Sequence, residues 1–384
     1  MIKILFISQW YPHRYDPMFG LFVQKHAEAV ALYANVAVIY VHPDPTIKKR
    51  ETVISTEKGF QEIRIYYPSG GNSLLAGISK QLEYIAAYRE GFKLLYESWG
   101  KPDIIQASVF TRTALVGTYM KWKNKIPYTV IEHWTRYFRE KTFRNGLHRR
   151  LSILAASHAD AVMPVTLHLQ KCMEQHGMKN DNYHIINNVV DDIFFQRLAK
   201  PSPEKIRILN VTCFDDAQKN LSGLLNVIQA LRIKRQDFEL VLVGEGLDSY
   251  HIKELSHEKG LGNDVVIFTG MLTGDELVKA YQQSHFSVLF SNYENIPVVI
   301  SESFACGLPV ISTNVGGIAE HIDKSNGLLI EKGNEMALFK ALDYMLDHYT
   351  DYNPEELTEM ARNKYSYPSV GKELVSIYKK ILNQ

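Results

Sequence analysis

The sequence has few cysteines and no long apolar run, and each of these absences excludes a class of protein. Three cysteines in 384 residues, Cys172, Cys213 and Cys306, are too few and too widely spaced for a disulfide framework or a zinc site. No window reaches the ~18 consecutive apolar residues of a membrane span, and the first apolar run ends without the small-residue cleavage site of a signal peptide. The 14 histidines show no metal-ligand spacing with carboxylates. We therefore expect a cytoplasmic protein without a metal site.

Length and composition indicate a globular protein of two domains. A chain of 384 residues can bury two separate cores, and 46% hydrophobic with 22% charged residues leaves no disordered tract. The net charge of +1 hides an imbalance, because residues 1–190 carry 24 Lys and Arg against 15 Asp and Glu, whereas residues 191–384 carry 19 against 27. Halves of opposite charge usually bind different partners.

Short apolar runs alternate with amphipathic segments through both halves, which predicts two doubly wound α/β domains. Strands of the first half are predicted near 1–8, 35–41, 60–70, 104–107, 128–132 and 159–165. The pattern restarts with strands near 206–213, 239–243, 265–269, 288–290 and 309–313. We place a first Rossmann-like domain at 1–190, a linker at 191–205, a second Rossmann-like domain at 206–364, and a terminal helix at 365–384.

The most informative stretch runs from residue 290 to residue 317. Pro297 suits a first helical position and Gly307 suits the left-handed residue after a last turn, so we predict a helix at about 297–306. Glu302 falls among apolar neighbours of this helix without a basic residue nearby, and hydroxyls of a bound sugar would supply its hydrogen bonds. The N–H groups at the helix start form an anion site beside Glu294. A plain core helix with one tolerated glutamate is the alternative.

The spacing of Glu294 and Glu302, followed by ACGLPV at 305–310 and NVGG at 314–317, resembles the signature of glycosyltransferase family 4. This resemblance implies the GT-B fold, with two domains facing across a cleft and a terminal helix that returns to the first domain. It also implies a retaining, metal-independent enzyme that uses a nucleotide-sugar donor. Glu294 would then bind donor-sugar hydroxyls, Glu302 the ribose, and the amides of Asn295, Ile296, Pro297 and Val298 would surround the diphosphate; since Pro297 has no N–H, it contributes backbone shape only.

Other positions match the family singly. Gly20, in the loop after the first strand, matches a glycine that closes over phosphates or acceptor, although a turn glycine explains it equally well. His133 follows Glu132 at a strand end, as does the family's histidine, which reaches the donor sugar or the reacting centre; a hydrogen-bonded loop residue is the alternative. Thr269 and Gly270 match the turn against the nucleotide base. Lys219 matches a lysine that grips the diphosphate.

The arginine that precedes this lysine by five residues in the family is replaced by Phe214. Another cation could substitute, or the diphosphate could be held more weakly. We expect Phe214→Arg to be tolerated or even to raise donor affinity.

The resemblance predicts an enzyme that moves a sugar from a UDP- or GDP-linked donor to a glycan or lipid-linked acceptor, in bacterial surface polysaccharide or glycolipid synthesis, without a bound cofactor. A sugar-nucleotide epimerase, a phosphorylase or a non-catalytic sugar-binding protein remain alternatives, and nothing points to nucleic acid. Basic residues mixed with aromatics at 121–125 and 136–150 suit an anionic membrane, or else form a solvated helix face.

Overall fold

A computed structural model describes residues 1–70, 74–110, 112–139, 142–196 and 204–384. Its internal contacts divide the chain into two units. The first unit holds Met1–Val189 together with Tyr367–Gln384, and the second holds Val190–Ser366. Most of the predicted linker, residues 197–203, lies outside the described residues.

The first unit is a parallel sheet flanked by helices. In chain order its strands and helices are β1 Lys3–Ser8, α1 Leu21–Ala31, β2 Asn35–Asp44, β3 Glu51–Ser55, β4 Gln61–Pro68, α2 Leu74–Ser98, β5 Ile104–Ser108, α3 Arg112–Asn124, β6 Tyr128–Glu132, α4 Gly146–His158, β7 Ala161–Pro164 and α5 Leu167–Gln175. The strand order within the described residues is β3-β4-β2-β1-β5-β6-β7. The pairs are parallel except at the edge, where β3 runs antiparallel to β4.

The second unit repeats this architecture. It contains β8 Ile206–Val211, α6 Asp216–Lys219, α7 Leu221–Lys234, β9 Phe238–Val243, α8 Ser249–Glu258, β10 Val266–Gly270, α9 Gly274–Gln282, β11 Phe286–Leu289, α10 Val298–Ala305, β12 Val310–Thr313, β13 Gly327–Ile330, α11 Glu335–His348 and α12 Pro354–Tyr365. Its parallel strands are ordered β10-β9-β8-β11-β12-β13. The prediction of two doubly wound α/β domains is therefore confirmed.

Both faces of the second sheet are buried, which explains why its strands read as continuous apolar runs. Ile208 and Leu240 belong to the core on one face, whereas their sequence neighbours Leu209 and Val241 belong to the core on the other. This alternation is the two-residue period of a strand. Because helices cover both faces of this sheet, a ligand can reach it only at the strand ends and the loops that follow them.

The last helix, α13 Tyr367–Ile381, packs on the first unit. Gly371 allows this close crossing, because a Cβ there would lie 2.1 Å from the carbonyl oxygen of Ala29 in α1. Farther along, the Tyr378 hydroxyl donates a buried 2.8 Å hydrogen bond to Oε1 of Gln106 in β5.

Two local predictions need correction. The strands β3 and β13 were not predicted. The sequence ETVIS of β3 leaves Val53 and Ile54 about half exposed at 46% and 52% and lacks a buried apolar run, and β13 is only four residues long. Pro297 is the residue before α10 and not its first helical residue, since its extended backbone (φ −72°, ψ 126°) places it at the N-cap. Gly307, with φ +73°, takes the predicted left-handed position.

Among the described residues, no helix combines the length and apolarity needed to cross a bilayer.

Candidate active site

The second sheet has a topological switch point beside its central strand. From β8 the chain first builds β9 and β10 on one side, and later β11, β12 and β13 on the other. Loops after β8 and β11 therefore diverge at their carboxyl ends and leave a crevice, which is where open α/β sheets bind ligands. Lys219 follows β8, and Glu294 follows β11.

The turn after β8 fixes the position of Lys219. Asp215 caps the short helix α6 by accepting the Gln218 N–H at 3.1 Å, and Asp216 accepts the N–H of Ser222, in the first turn of α7, at 2.8 Å. Between the two helices Asn220 adopts a left-handed conformation (φ 50°, ψ 46°), which asparagine tolerates better than most residues. Lys219 therefore ends α6, one residue before this reversal.

The loop after β11 is held from both sides. On one side, the Asn292 N–H donates to the carbonyl of Gln218 at 2.7 Å. On the other, the Gly317 N–H donates to the carbonyl of Asn295 at 2.9 Å. Gly316 has φ +57°, and a Cβ there would lie 1.8 Å from the Glu294 carbonyl oxygen. The glycine pair of the motif thus allows the second loop to support the one that carries Glu294.

Lys219 and Glu294 meet in this crevice. The ammonium of Lys219 forms an ion pair with Oε1 of Glu294, and Nε2 of Gln218 lies 3.4 Å from Oε2 of the same carboxylate. Only 11% of the lysine side chain and 7% of the glutamate side chain are exposed. Two residues 75 positions apart thus form one charged cluster, which the sequence did not reveal.

Helix α10 begins directly after this loop, so its first N–H groups lie next to Glu294. Asn295 is buried, and Ile296, Pro297 and Val298 are half-buried at the helix start. Backbone donors and one cation thus adjoin a carboxylate, which suits an anion linked to a polyol.

Glu302 is buried in α10, and the structure corrects one expectation about it. The Tyr281 hydroxyl donates a 2.8 Å hydrogen bond to Oε2 of Glu302, so this carboxylate has a partner within the chain. Burial and the adjacent carboxylate raise the pKa of Tyr281 well above its usual value. The sequence missed this partner because it lies 21 residues earlier, on another helix.

Thr269 and Gly270 end β10. Thr269 is exposed, and its hydroxyl donates to the carbonyl of Gly270 at 2.9 Å. The Gly270 carbonyl in turn accepts the Gly244 N–H at 2.9 Å, which joins this turn to the one after β9. These residues lie at the carboxyl ends of the strands, as the crevice does, and β10 is two strands away from β8.

Phe214 belongs to the core. Its side chain is 1% exposed, and its ring packs edge-on against Phe268 at 6.3 Å between centroids. An arginine there would place a charge in an apolar cluster, so the structure now leads us to expect that Phe214→Arg destabilises the second unit.

In the first unit, Gly20 has a structural explanation. It has φ +66° at the start of α1, and a Cβ would lie 2.3 Å from the carbonyl carbon of Trp10. The glycine therefore lets the loop after β1 fold back on itself. The tight turn is thus sufficient to explain a glycine at position 20, and a contact of Gly20 with a ligand stays a prediction.

His133 lies just past β6, with its ring 4.2 Å from that of Phe22 and 5.6 Å from that of His26. Burial and the neighbouring His26 lower the pKa of His133 well below its usual value, so its imidazole is neutral.

Glu132 fixes the backbone of this loop. Its carboxylate accepts the N–H groups of Phe110, His133 and Trp134 at 2.7–2.8 Å. Burial nonetheless raises the pKa of Glu132 to about 7. No sequence pattern indicated that Glu132 would position the histidine loop.

Within the part of the chain that the structure describes, no group of three His, Cys, Asp or Glu side chains could hold a metal ion.

Comparisons with known proteins point to one family. The profile of the family described as "Glycosyl transferases group 1" matches residues 192–366. "Uncharacterized glycosyltransferase MJ1607" of Methanocaldococcus jannaschii is 29% identical over 165 residues, which cover 42% of this chain and 42% of that protein. The match thus spans less than half the length of that relative.

Two further similarities extend over the whole chain. "Putative teichuronic acid biosynthesis glycosyltransferase TuaC" of Bacillus subtilis is 20% identical, over 98% of this chain and 97% of that protein. The structure of Anabaena Alr3699/HepE in complex with UDP superposes with a TM-score of 0.73 at 16% identity, over 99% of this chain and 100% of that one. A likeness at this identity shows the fold, and it agrees with the predicted GT-B architecture.

Proposed function

We propose that this chain, whose residues 192–366 match the profile of the group 1 glycosyltransferases, transfers a sugar from a nucleoside-diphosphate sugar to a hydroxyl of a glycan or lipid-linked acceptor. One observation carries the proposal. Lys219 and Glu294 meet at the switch point of the second sheet, beside the N-terminus of α10. A cation and helix amides suit a diphosphate, while a carboxylate suits sugar hydroxyls, so one crevice offers contacts for both halves of such a donor.

The chemistry follows from where charge develops. As the glycosidic bond breaks, negative charge gathers on the diphosphate, and donors fixed before the reaction stabilise it without reorganisation. Lys219 and the amides near Asn295–Val298 would supply these donors. We infer a retaining reaction without a covalent enzyme intermediate, in which the departing phosphate accepts the acceptor's proton and Glu294 orients the sugar.

The remaining predicted residues take binding roles in this proposal. Glu302 would bind the ribose while keeping its hydrogen bond to Tyr281, because a carboxylate has several acceptor sites. Thr269 and Gly270 would lie against the base. His133, held neutral by burial, would hydrogen-bond a donor-sugar hydroxyl, since a neutral imidazole can donate and accept. Gly20 would let backbone approach phosphate or acceptor.

The donor carries UDP or GDP in this proposal. The complex of Anabaena Alr3699/HepE with UDP supports the first, but backbone contacts at Thr269 and Gly270 do not select a base. We further propose that the product is a bacterial-type surface polysaccharide or glycolipid, which the name of the Bacillus subtilis relative supports.

We propose that the enzyme acts in the cytoplasm and contacts anionic lipid through the first unit. The helices α3 and α4 expose large apolar side chains, namely Tyr119, Trp122, Leu147 and Leu154. Exposed cations accompany them, namely Lys123, Lys125, Arg144, Arg149 and Arg150. We call these nine side chains the α3–α4 surface. Arg136 is not part of it, because it donates to the Thr142 carbonyl at 2.7 Å and stacks on Trp134.

The experiment is a transfer assay with UDP- and GDP-sugars that measures nucleoside-diphosphate release with and without acceptor glycans or glycolipids. Release that depends on acceptor supports a glycosyltransferase. Interconversion of nucleotide sugars would indicate an epimerase, and sugar-phosphate formation from a glycan and phosphate a phosphorylase. Binding of nucleotide sugar with neither transfer nor hydrolysis would indicate a sugar-binding protein.

A further inference from the structure

The ion pair between Lys219 and Glu294 joins the two residues that are expected to bind opposite halves of the donor. Lys219 is assigned to the diphosphate and Glu294 to the sugar, yet in the structure they bind each other. Gln218 adds a contact to the second carboxylate oxygen, at 3.4 Å, and its Nε2 also lies 3.3 Å from the Tyr293 carbonyl oxygen. The carboxylate is therefore bound from the α6 side through both of its oxygens.

Low exposure makes this pair costly to open. With 11% and 7% of the two side chains exposed, water has little access to either charge. Taking one partner away from a buried pair leaves the other charge uncompensated, and this costs far more than opening a pair at the surface. A ligand that binds Lys219 must also supply hydrogen-bond donors to Glu294. Otherwise its binding free energy is reduced by the cost of a buried, unpaired carboxylate.

The intact donor and the nucleoside-diphosphate product differ in this respect. Both carry a diphosphate that attracts Lys219, but only the donor carries sugar hydroxyls that can donate hydrogen bonds to Glu294. When the nucleotide sugar binds, both residues exchange one partner for another. The diphosphate replaces the Glu294 carboxylate at the Lys219 ammonium, and sugar hydroxyls replace that ammonium at the carboxylate. For the product the second half of this exchange is missing.

We propose that the Lys219–Glu294 pair selects the intact nucleotide sugar over the free nucleoside diphosphate, an inference that rests on the proposed function. Lys219 turns to the diphosphate only when sugar hydroxyls occupy Glu294. After transfer the sugar has left, Glu294 recaptures Lys219, and the product loses its side-chain cation. The same pair thus weakens product binding and favours release.

The test is isothermal titration of the full chain with UDP and UDP-glucose, and with GDP and GDP-mannose, in the absence of acceptor. Glu294→Gln keeps the side chain's shape and removes its charge, which frees Lys219. We expect the nucleoside diphosphate to bind about 10-fold tighter or more to this variant, while the nucleotide sugar binds no tighter than to wild type.

The double variant Lys219→Met/Glu294→Gln is the matched control. It replaces the ion pair by two neutral side chains, so the affinity gain for the nucleoside diphosphate should disappear. Melting curves of all three proteins verify that they are folded. If Glu294→Gln unfolds because Lys219 is left unpaired, the double variant, which has no buried unpaired charge, should still fold.

The outcomes separate the inference from the function beneath it. If Glu294→Gln binds UDP and GDP no better than wild type while wild type binds nucleotide sugars, the pair does not discriminate and the inference is overturned. The same conclusion follows if the double variant Lys219→Met/Glu294→Gln keeps the gain in affinity for the nucleoside diphosphate. If wild type binds none of the four ligands, the proposed function fails and the inference fails with it.

Discussion

The Tyr281 hydroxyl and the Glu302 carboxylate form a 2.8 Å hydrogen bond inside the second unit. This bond explains how α10 tolerates a buried carboxylate among apolar neighbours. If Glu302 is instead a purely structural residue, Tyr281 is the partner that it binds. The question for Glu302 is therefore whether its charge serves the fold or a ligand.

Glu302→Gln separates these two roles. A neutral amide can still accept from Tyr281 but binds ribose hydroxyls less strongly. Because hydrogen bonds to a charged group contribute ~1.5–3 kcal/mol, we expect nucleotide affinity to fall by about 10- to 150-fold with little change in melting temperature. Isothermal titration and thermal unfolding measure the two effects. Tyr281→Phe is the control and should lower stability more than affinity. Normal binding by a Glu302→Gln protein that melts many degrees lower would mark Glu302 as structural.

Lys219→Ala tests how the diphosphate is held in the absence of the family's arginine. The attraction between ammonium and phosphate grows as the glycosidic bond breaks, so its loss lowers kcat more than it raises KM. We expect turnover to fall by ~100-fold or more. Steady-state kinetics with saturating acceptor measure this, with Lys332→Ala, an exposed lysine of the same unit, as control. Retention of more than about a third of wild-type turnover would show that another cation holds the diphosphate.

His26 predicts a pH dependence of stability in the first unit. Its Nε2 donates to the Asn187 carbonyl at 2.9 Å, and burial lowers its pKa to about 4. The unfolded chain, with a histidine pKa of ~6.5, binds more protons between these values, so stability is lost as pH falls from about 6.5 towards 4. This residue alone should cost about 2 kcal/mol between pH 7 and pH 5.

Urea unfolding of wild type and His26→Gln at both pH values measures this contribution. The glutamine amide can still donate to the carbonyl but does not titrate, so acidification should destabilise the variant by less than wild type. Equal losses in the two proteins would contradict the assignment of the pH dependence to His26.

The α3–α4 surface predicts binding to anionic lipid. Each cation near such a surface contributes ~1 kcal/mol at low salt, and exposed apolar side chains add interfacial contact. We expect co-sedimentation with phosphatidylglycerol-containing vesicles at low salt, little with neutral vesicles, and a clear loss in an Arg149→Glu/Arg150→Glu variant. Lys332→Glu, a charge reversal in the other unit, is the control. Equal partitioning to both kinds of vesicle would contradict the prediction, and the helix face would then be merely solvated.

Much of the fold could be predicted from the sequence because its buried strands are continuous apolar runs. Ile4 to Ile7 and Leu240 to Val243 are buried on both faces of their sheets, and such runs predict parallel strands directly. The strand β3 could not be predicted in this way, because pairing at an edge leaves its side chains exposed.

The candidate site was predicted in its parts and not in its connections. Glu294, Glu302 and the helix start were identified from spacing within one segment. The contacts of Glu294 with Lys219 and of Glu302 with Tyr281 depend on strand order and helix packing, which no local pattern encodes. The buried position of Phe214 was missed for the same reason, since matching a motif position does not reveal that its side chain points into the core.

The central claim is that the second unit binds a nucleoside-diphosphate sugar at the switch point. Its most direct test is the free energy of unfolding of the full chain, measured with a panel of UDP-, GDP-, ADP- and dTDP-sugars, with Lys219→Met/Glu294→Gln alongside. A donor at ~100 times its dissociation constant should stabilise wild type by ~2.7 kcal/mol, and the double variant by less. If no nucleotide sugar stabilises wild type, or if the double variant gains as much, the account of this site is contradicted.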